Sequence, residues 1–251
     1  MKAKFNIYLI FFLFIAFKTQ AQTPSSSTNV ARLSKNDWGS ILKGNQPLMT
    51  KKKENVELRG TPFYKDEWES GSVVLFDSTF TEDPSLKFKL DLETYEIWIL
   101  ANKEEKILTD SRILGLDLDI GIKILKFRRM KIPDLKKEEI PFVKVLFEGT
   151  NLKLYKYIKK QFLEANAVDK GLVVTGRDYD SYETIIDYYT VNERQQVRKI
   201  GLKRGELYKA HPTRVEKNRE ALKKFCDEQD ISSSLNEKEL VQLVTYLETL
   251  K

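Results

Sequence analysis

The chain has 251 residues, with 43 lysines and arginines, 37 aspartates and glutamates, and a formal net charge of +6. One histidine and one cysteine exclude a zinc site built from several His and Cys ligands, and they exclude a disulfide framework within the chain. The hydrophobic share of 41% is typical of a globular protein. A chain of this length can bury the core of one large or two small domains.

The N-terminus has the three parts of a secretory signal peptide. Two early lysines precede an unbroken apolar run of eleven residues, 7–17, and the small side chains of Thr19 and Ala21 occupy the −3 and −1 positions of a cleavage site. Eleven residues span about 16 Å as a helix, roughly half of the hydrocarbon core of a bilayer. We therefore expect residues 1–21 to be cleaved near Ala21 and the mature protein to be periplasmic, secreted or exposed at the cell surface.

The predicted signal peptide accounts for half of the net charge. It carries three of the 43 basic residues and no acidic residue, so the charge of the mature chain falls from +6 to +3. A charge this small does not predict a nucleic-acid partner, because nucleic-acid binding needs a concentrated basic surface. No later stretch approaches 18 apolar residues, so no transmembrane helix is expected after cleavage.

Residues 22–57 begin with a polar run of small side chains, which predicts a flexible N-terminal arm. From residue 58 onward, short apolar runs alternate with turn residues. Phe88 and Leu90 alternate with lysines, which is the period of a half-buried strand, and a second run after Leu92–Thr94 predicts a hairpin. The predicted strands cover 73–76, 86–91, 95–100, 106–109, 113–127, 142–147, 152–162, 182–191 and 197–202.

The spacing of these runs, about 8–12 residues, is typical of an antiparallel meander. We expect a β-rich antiparallel sheet, and the pattern leaves a sandwich and an open barrel as alternatives. Within 113–127, the alternation places Leu114, Leu116 and Leu118 on one face and Asp117 and Asp119 on the other.

The C-terminal residues change to a helical period. The first predicted helix covers 213–229, with a possible short helical turn before it at 202–208. Pro212 suits a first helical position, and Thr213 with Glu216 has the spacing of a capping box.

A second helix is predicted over 236–250. Asn236 and Glu239 have capping-box spacing, and a leucine-rich stripe at i, i+3, i+4 and i+7 gives the helix one apolar face. The serine linker between the two helices predicts a helical hairpin. The fold class is therefore α+β, with a single β-rich domain over 58–251 that ends in this hairpin.

The segment 60–73, Gly-Thr-Pro-Phe-Tyr-Lys-Asp-Glu-Trp-Glu-Ser-Gly-Ser-Val, resembles the opening of a family of exported bacterial proteins that has no assigned function. The central strands and the closing helical pair are similar too, so the resemblance covers roughly residues 58–250. These motifs are structural, and the resemblance implies one compact unit without transferring an active site.

The lone histidine and the lone cysteine are the first candidates for chemistry. His211 could act as the base of a Ser- or Cys-based catalytic set. Cys226 follows fifteen residues later, roughly 22 Å away if the span is helical, which does not favour a pair. We interpret His211 as a polar residue before the helix-starting Pro212 and Cys226 as a small buried hydrophobe, with a reactive thiol as the alternative.

Carboxylates form the next candidates. Asp178, Asp180 and Glu183 are similar to the start of a calcium loop, but the glycine and the terminal glutamate of an EF-hand are missing. Asp117 and Asp119 are spaced for one face of a strand and could form an acid/base pair for glycoside hydrolysis. We interpret the first group as a turn and the second as a solvated strand face.

Two further groups could form binding surfaces. A basic cluster could contact an anionic partner or a membrane headgroup, although a solvated edge is the favoured interpretation. An aromatic group could line a binding face, although tyrosine also favours strands. The basic cluster contains Lys126, Arg128, Arg129, Lys131, Lys136 and Lys137, and the aromatic group contains Tyr155, Tyr157, Tyr179, Tyr182, Tyr188 and Tyr189.

No catalytic, cofactor-binding or metal-binding residue is assigned from the sequence. The favoured hypothesis is a non-enzymatic binding or structural module of the cell envelope, with an envelope protein, a lipid or a glycan as its partner. One alternative is a periplasmic carrier of a small apolar ligand or lipid, and a second is a hydrolase that uses carboxylates.

Overall fold

The computed structural model describes residues 56–76, 80–82, 85–108, 112–136, 138–169 and 174–250. The predicted signal peptide and nearly all of the predicted arm lie outside these residues. The strands of the described part are β1 (Leu58–Arg59), β2 (Ser70–Leu75), β3 (Phe80–Glu82), β4 (Lys87–Leu90), β5 (Ile97–Ala101), β6 (Glu104–Leu108), β7 (Ile113–Asp119), β8 (Ile124–Arg129), β9 (Phe142–Glu148), β10 (Lys153–Leu163), β11 (Val168–Asp169), β12 (Val174–Thr175), β13 (Asp180–Val191) and β14 (Val197–Ile200). The helices are α1 (Arg204–Ala210), α2 (Pro212–Lys217), α3 (Arg219–Glu228) and α4 (Glu237–Thr249).

The main sheet has the strand order β1-β13-β10-β9-β8-β7-β2-β3, and β14 also pairs with β13. Strands β7, β8, β9, β10 and β13 follow one another as an antiparallel meander, as the spacing of the runs predicts. One pair departs from the expected antiparallel sheet, because β1 runs parallel to the start of β13. The expectation of an α+β fold with a β-rich sheet and C-terminal helices is confirmed.

A second sheet contains β4, β5 and β6 in sequence order. The predicted hairpin between the first two is confirmed, with Leu90 opposite Ile97 across the turn. Its apolar residues, such as Phe88 and Ile99, share one buried cluster with Leu116 and Phe127 of the main sheet. The two sheets therefore bury a common core, as expected from the period-2 pattern of their strands.

The expectation of a single strand over 113–127 is wrong. The structure has two strands, β7 and β8, joined by a turn at 120–123 in which Asp119 Oδ1 accepts a hydrogen bond of 2.9 Å from the Gly121 backbone N–H. A register shift in the pairing with β2 also changes the inward face, so that Ile113 is buried and Leu114 is 40% exposed. The sequence pattern did not indicate this turn, because the isoleucines that flank Gly121 continue the apolar alternation.

The expectation of one helix over 213–229 is also wrong. It is divided at Asn218, whose side-chain amide donates a hydrogen bond of 2.9 Å to the carbonyl of Arg214 and thereby favours a non-helical backbone. The proposed capping box of Thr213 is not formed, because His211 is the N-cap of α2 and no side chain caps this helix. Pro212 does occupy the first turn, and the predicted helical turn before it is present as α1.

The last helix, α4, matches its prediction closely. The side chain of Asn236 accepts a hydrogen bond of 2.9 Å from the Glu239 backbone N–H. The side chain of Glu239 accepts one of 2.8 Å from the Asn236 backbone N–H. The apolar stripe packs on the main sheet and shares a second buried cluster with Leu152 and Leu154. Tyr155 and Tyr157 alternate with Leu154 along β10 and belong to a third cluster on the other face. Among the described residues, no helix combines the length and the apolar character that crossing a membrane requires.

Candidate functional site

A cleft of about 140 Å³ lies where the β13–β14 turn meets the junction between α1 and α2. The turn contributes Glu193 and Arg194, and the beginning of β14 contributes Arg198. The helical junction contributes His211 and Arg214. The cleft therefore joins two chain segments that are separate in sequence, and most of its charged side chains are cationic.

The β13–β14 turn is held by the side chain of Asn192. Its Oδ1 accepts hydrogen bonds of 3.0 Å from the backbone N–H groups of Arg194 and of Gln196, and its Nδ2 donates to Gln196 Oε1 at 3.0 Å. Gln195 has a positive φ of 58°. Asparagine suits this position because it bonds the backbone two residues onward. These bonds fix the backbone from which Arg194 extends.

His211 is buried between the helices and the sheet. Its Nε2 lies 2.8 Å from Thr190 Oγ1, and that hydroxyl donates to the Lys153 carbonyl at 3.2 Å. When the threonine hydroxyl donates its one proton to the Lys153 carbonyl, Nε2 is the protonated ring nitrogen and donates to Thr190. The pKa of His211 is lowered to about 4, mainly by burial, with Glu193 opposing the shift and Arg214 and Arg198 adding to it. The imidazole is therefore neutral at neutral pH.

Two of the arginines are positioned by backbone carbonyls. Arg214 Nη1 donates to the carbonyls of Leu247, Glu248 and Leu250 at 3.1, 3.3 and 2.9 Å. These carbonyls belong to the C-terminal end of α4, where a cation is favourable. Arg198 Nη1 donates in the same way to the last turn of α1, at the Lys209 carbonyl, with a distance of 3.2 Å.

The arginines of the cleft form no ion pair with a carboxylate of the described residues. Within the described part of the chain, Arg194, Arg198 and Arg214 have no carboxylate oxygen within 4.0 Å. Glu193 is the acidic residue that lines the cleft. The arrangement presents arginine side chains on a fixed backbone, and guanidinium groups suit the binding of carboxylate or phosphate groups.

The structure gives the two sequence candidates for nucleophilic chemistry different hydrogen-bond partners. Cys226 is buried in α3, and its Sγ lies 3.6 Å from Tyr208 Oη, so the interpretation as a small buried hydrophobe is confirmed. Burial and the contact with Cys226 raise the pKa of Tyr208. His211 is also buried, as the residue before the helix-starting Pro212, and its Nε2 bonds Thr190.

The carboxylate candidates do not line the cleft. Asp117 forms an ion pair with Arg128 across the β7–β8 pair, and Asp119 bonds within the turn that follows β7. Asp180 Oδ1 accepts from the Ala165 backbone N–H at 2.7 Å, whereas Asp178 and Glu183 are solvent-exposed. No group of three or more His, Cys, Asp and Glu side chains in the described residues is arranged to hold a metal ion.

The basic cluster is divided by the fold. Arg128 is in the ion pair with Asp117, and the guanidinium of Arg129 lies 4.5 Å from the centre of the Phe142 ring. Burial lowers the pKa of Arg129. The remaining members are the exposed lysines Lys126, Lys131 and Lys136, and Lys137, which lies outside the described residues.

The tyrosines serve mainly as core residues, as their strand preference predicts. The buried members are Tyr155, Tyr157, Tyr188 and Tyr189. Tyr157 Oη accepts a hydrogen bond of 2.6 Å from Tyr95 Oη, and burial raises the pKa of both phenols. Tyr179 instead stacks beneath Arg59, whose guanidinium lies 3.6 Å from the ring centre.

Comparison with known proteins finds no matching family, no matching curated protein and no matching solved structure. The cleft itself was not identified from the sequence. Its three arginines form no motif, because they reach one place from a turn, a strand and a helix. The one local signal is the polar run 192–196 between two strands, which marks a turn without indicating what faces it.

Proposed function

We propose that the protein is an exported, non-enzymatic binding module of the cell envelope, and that the cleft between the β13–β14 turn and the α1–α2 junction is its binding site. The proposed localisation, periplasmic or at the cell surface after cleavage near Ala21, rests on the signal-peptide pattern. Membership of the family of exported proteins suggested by the segment 60–73 is part of the same proposal. The partner is an envelope protein, a lipid or a glycan.

The observation that carries this proposal is the set of positioned arginines in the cleft. Arg198 and Arg214 are oriented by carbonyls at the ends of two helices, and Arg194 extends from a turn fixed by Asn192. A preformed site that needs little rearrangement loses little conformational freedom when it binds. His211, the titratable group that a catalytic mechanism would use first, is buried and hydrogen-bonded to Thr190.

In this proposal the two sheets form a sandwich or an open barrel that acts as a rigid platform. The backbone bond from Lys160 N–H to the Leu92 carbonyl, 3.0 Å long, supports this arrangement because it joins β10 to the turn of the second sheet. The C-terminal helices act as a helical hairpin, and the junction before it supplies one wall of the cleft.

The alternatives receive less support from the contacts. A carrier of an apolar ligand needs an apolar lining, whereas this cleft is lined largely by charged and polar side chains. A carboxylate-based hydrolase needs two carboxylates that face one substrate, whereas Asp117 and Asp180 hold neighbouring parts of the fold.

Native mass spectrometry of the mature protein, purified from its own source without detergent, tests the proposal. We expect an excess mass that disappears on denaturation and is lost from an Arg194→Ala/Arg198→Ala variant. Arg219→Ala, an exposed arginine outside the cleft, is the matched control and keeps the excess mass. A bare chain in the unaltered protein, or an excess mass retained by the double variant, would refute binding in this cleft.

A further inference from the structure

We propose that the ligand of the cleft is a phosphomonoester group, a tetrahedral dianion held by Arg194, Arg198 and Arg214. This inference rests on the proposed function and adds the chemical class of the ligand. It follows from the charge of the cleft, from the three elements that supply its donors and from its size.

The charge of the cleft is positive at neutral pH. Three arginines line it, and Glu193 is the acidic residue among the lining residues. His211 adds no charge, because its imidazole is neutral. The remaining excess of positive charge matches a phosphomonoester, which carries about −1.5 to −2 at pH 7.

The donors approach the cleft from three elements. Arg194 belongs to a turn, Arg198 to β14 and Arg214 to α2, and the bonds described above for Arg198 and Arg214 use Nη1 of each. The other guanidinium N–H groups make no hydrogen bond to a described residue, so they are available to a ligand. A planar carboxylate is matched along one edge by a single guanidinium, whereas a tetrahedral phosphate accepts hydrogen bonds from several directions.

The size of the cleft restricts what enters it. Its volume of about 140 Å³ is smaller than the roughly 300–1,000 Å³ of a pocket for a drug-sized ligand. The cleft therefore takes one anionic group, and the rest of the ligand stays outside. Two sources share this chemistry, a soluble phosphomonoester and the headgroup of a lipid such as phosphatidic acid.

A substitution of Glu193 tests whether the ligand is an anion or a cation. Because its carboxylate repels an anion, Glu193→Gln should tighten phosphate binding, whereas the same change would weaken the binding of a cation. Arg194→Ala removes one charge-assisted donor and should weaken binding by about tenfold or more. Both residues are exposed in the turn, and no side-chain bond to the rest of the described protein is lost.

The experiment is an NMR titration of the mature protein with inorganic phosphate at pH 7.5. We expect saturable shifts of the backbone amides in 192–198 and at residues 211, 213 and 214, with the opposite effects of the two variants and an unchanged affinity in Arg219→Ala. The absence of saturable shifts, equal affinities of the unaltered protein and Arg194→Ala, or weaker binding in Glu193→Gln would overturn the inference.

Co-sedimentation with phosphatidylcholine vesicles, with and without phosphatidic acid, then separates the two sources. Sedimentation that needs phosphatidic acid and Arg194 assigns the site to a lipid headgroup. Phosphate binding without sedimentation assigns it to a soluble phosphomonoester. If phosphate does not bind but the cleft double variant loses the native excess mass, the phosphomonoester is refuted while the cleft remains the binding site.

Discussion

Acidification should destabilise this protein, and His211 makes one contribution to the loss. Its pKa is about 4 in the folded protein because of burial, whereas an unfolded chain has a histidine pKa near 6.5. Between these values the unfolded state binds the proton more tightly, so stability falls as the pH falls. The linkage relation gives a loss of about 2 kcal/mol at pH 5 and about 3 kcal/mol at pH 4, relative to neutral pH.

Urea unfolding of the unaltered protein and of His211→Gln, at several pH values from 4 to 7.5, measures this effect. Glutamine has no proton to gain, and its side-chain amide has both a donor and an acceptor with which to bond the Thr190 hydroxyl. Carboxylates that titrate in the same range contribute equally to both proteins and cancel in the difference. The free energy of unfolding of the variant, relative to that of the unaltered protein, should therefore rise by about 3 kcal/mol between pH 7.5 and pH 4. A difference in unfolding free energy that stays constant with pH would refute the burial of a neutral His211.

Three other predictions concern the core. Leu243→Ala, at a fully buried position of α4, should cost about 2–5 kcal/mol in chemical denaturation, and Ile122→Ala, at a residue 90% exposed, should change stability by about 0.5 kcal/mol or less; similar costs for the two would contradict the burial pattern. Gly71→Ala should destabilise β2, because the new Cβ would lie 2.3 Å from the Asp117 carbonyl oxygen; a melting temperature equal to that of the unaltered protein would argue against the β2–β7 register. Buried Cys226 should react with a thiol reagent only as fast as the protein unfolds; rapid labelling of the folded protein, relative to a denatured sample, would show that the thiol is accessible.

A partly buried polar network connects the last helix to the sheet. Glu237, in the first turn of α4, accepts hydrogen bonds from Lys156 Nζ at 2.6 Å and from Tyr188 Oη at 2.9 Å. Burial opposes the charged form of this carboxylate, but these bonds hold the pKa of Glu237 below its usual value. At the other end of α4, Glu248 accepts from the backbone N–H groups of Asn151 and Leu152 at 2.9 Å each. The helix is thus fixed at both ends, which in turn positions the carbonyls that orient Arg214.

The sequence by itself determined those features that depend on neighbours along the chain. The alternation of Phe88 and Leu90 with lysines indicates a strand with one buried face. The capping box of the last helix forms between Asn236 and Glu239, which are three residues apart. Local patterns were misleading where the hydrophobic period continues across a break in the strand or helix. The turn at Gly121 continues the apolar alternation of its strands, and the break at Asn218 depends on a side-chain bond to Arg214.

Only the tertiary structure decided the cleft and the burial of His211. Arg194, Arg198 and Arg214 meet because β14 returns along β13 and the helices then fold back against the sheet. Whether a histidine before a proline is exposed or buried depends on which sheet residue lies against it, here Thr190. Hydrophobic periodicity reports which face of an element is buried, but it contains no information on which distant segment covers that face. The site is therefore a product of packing, and the strands and caps that support it are products of local sequence.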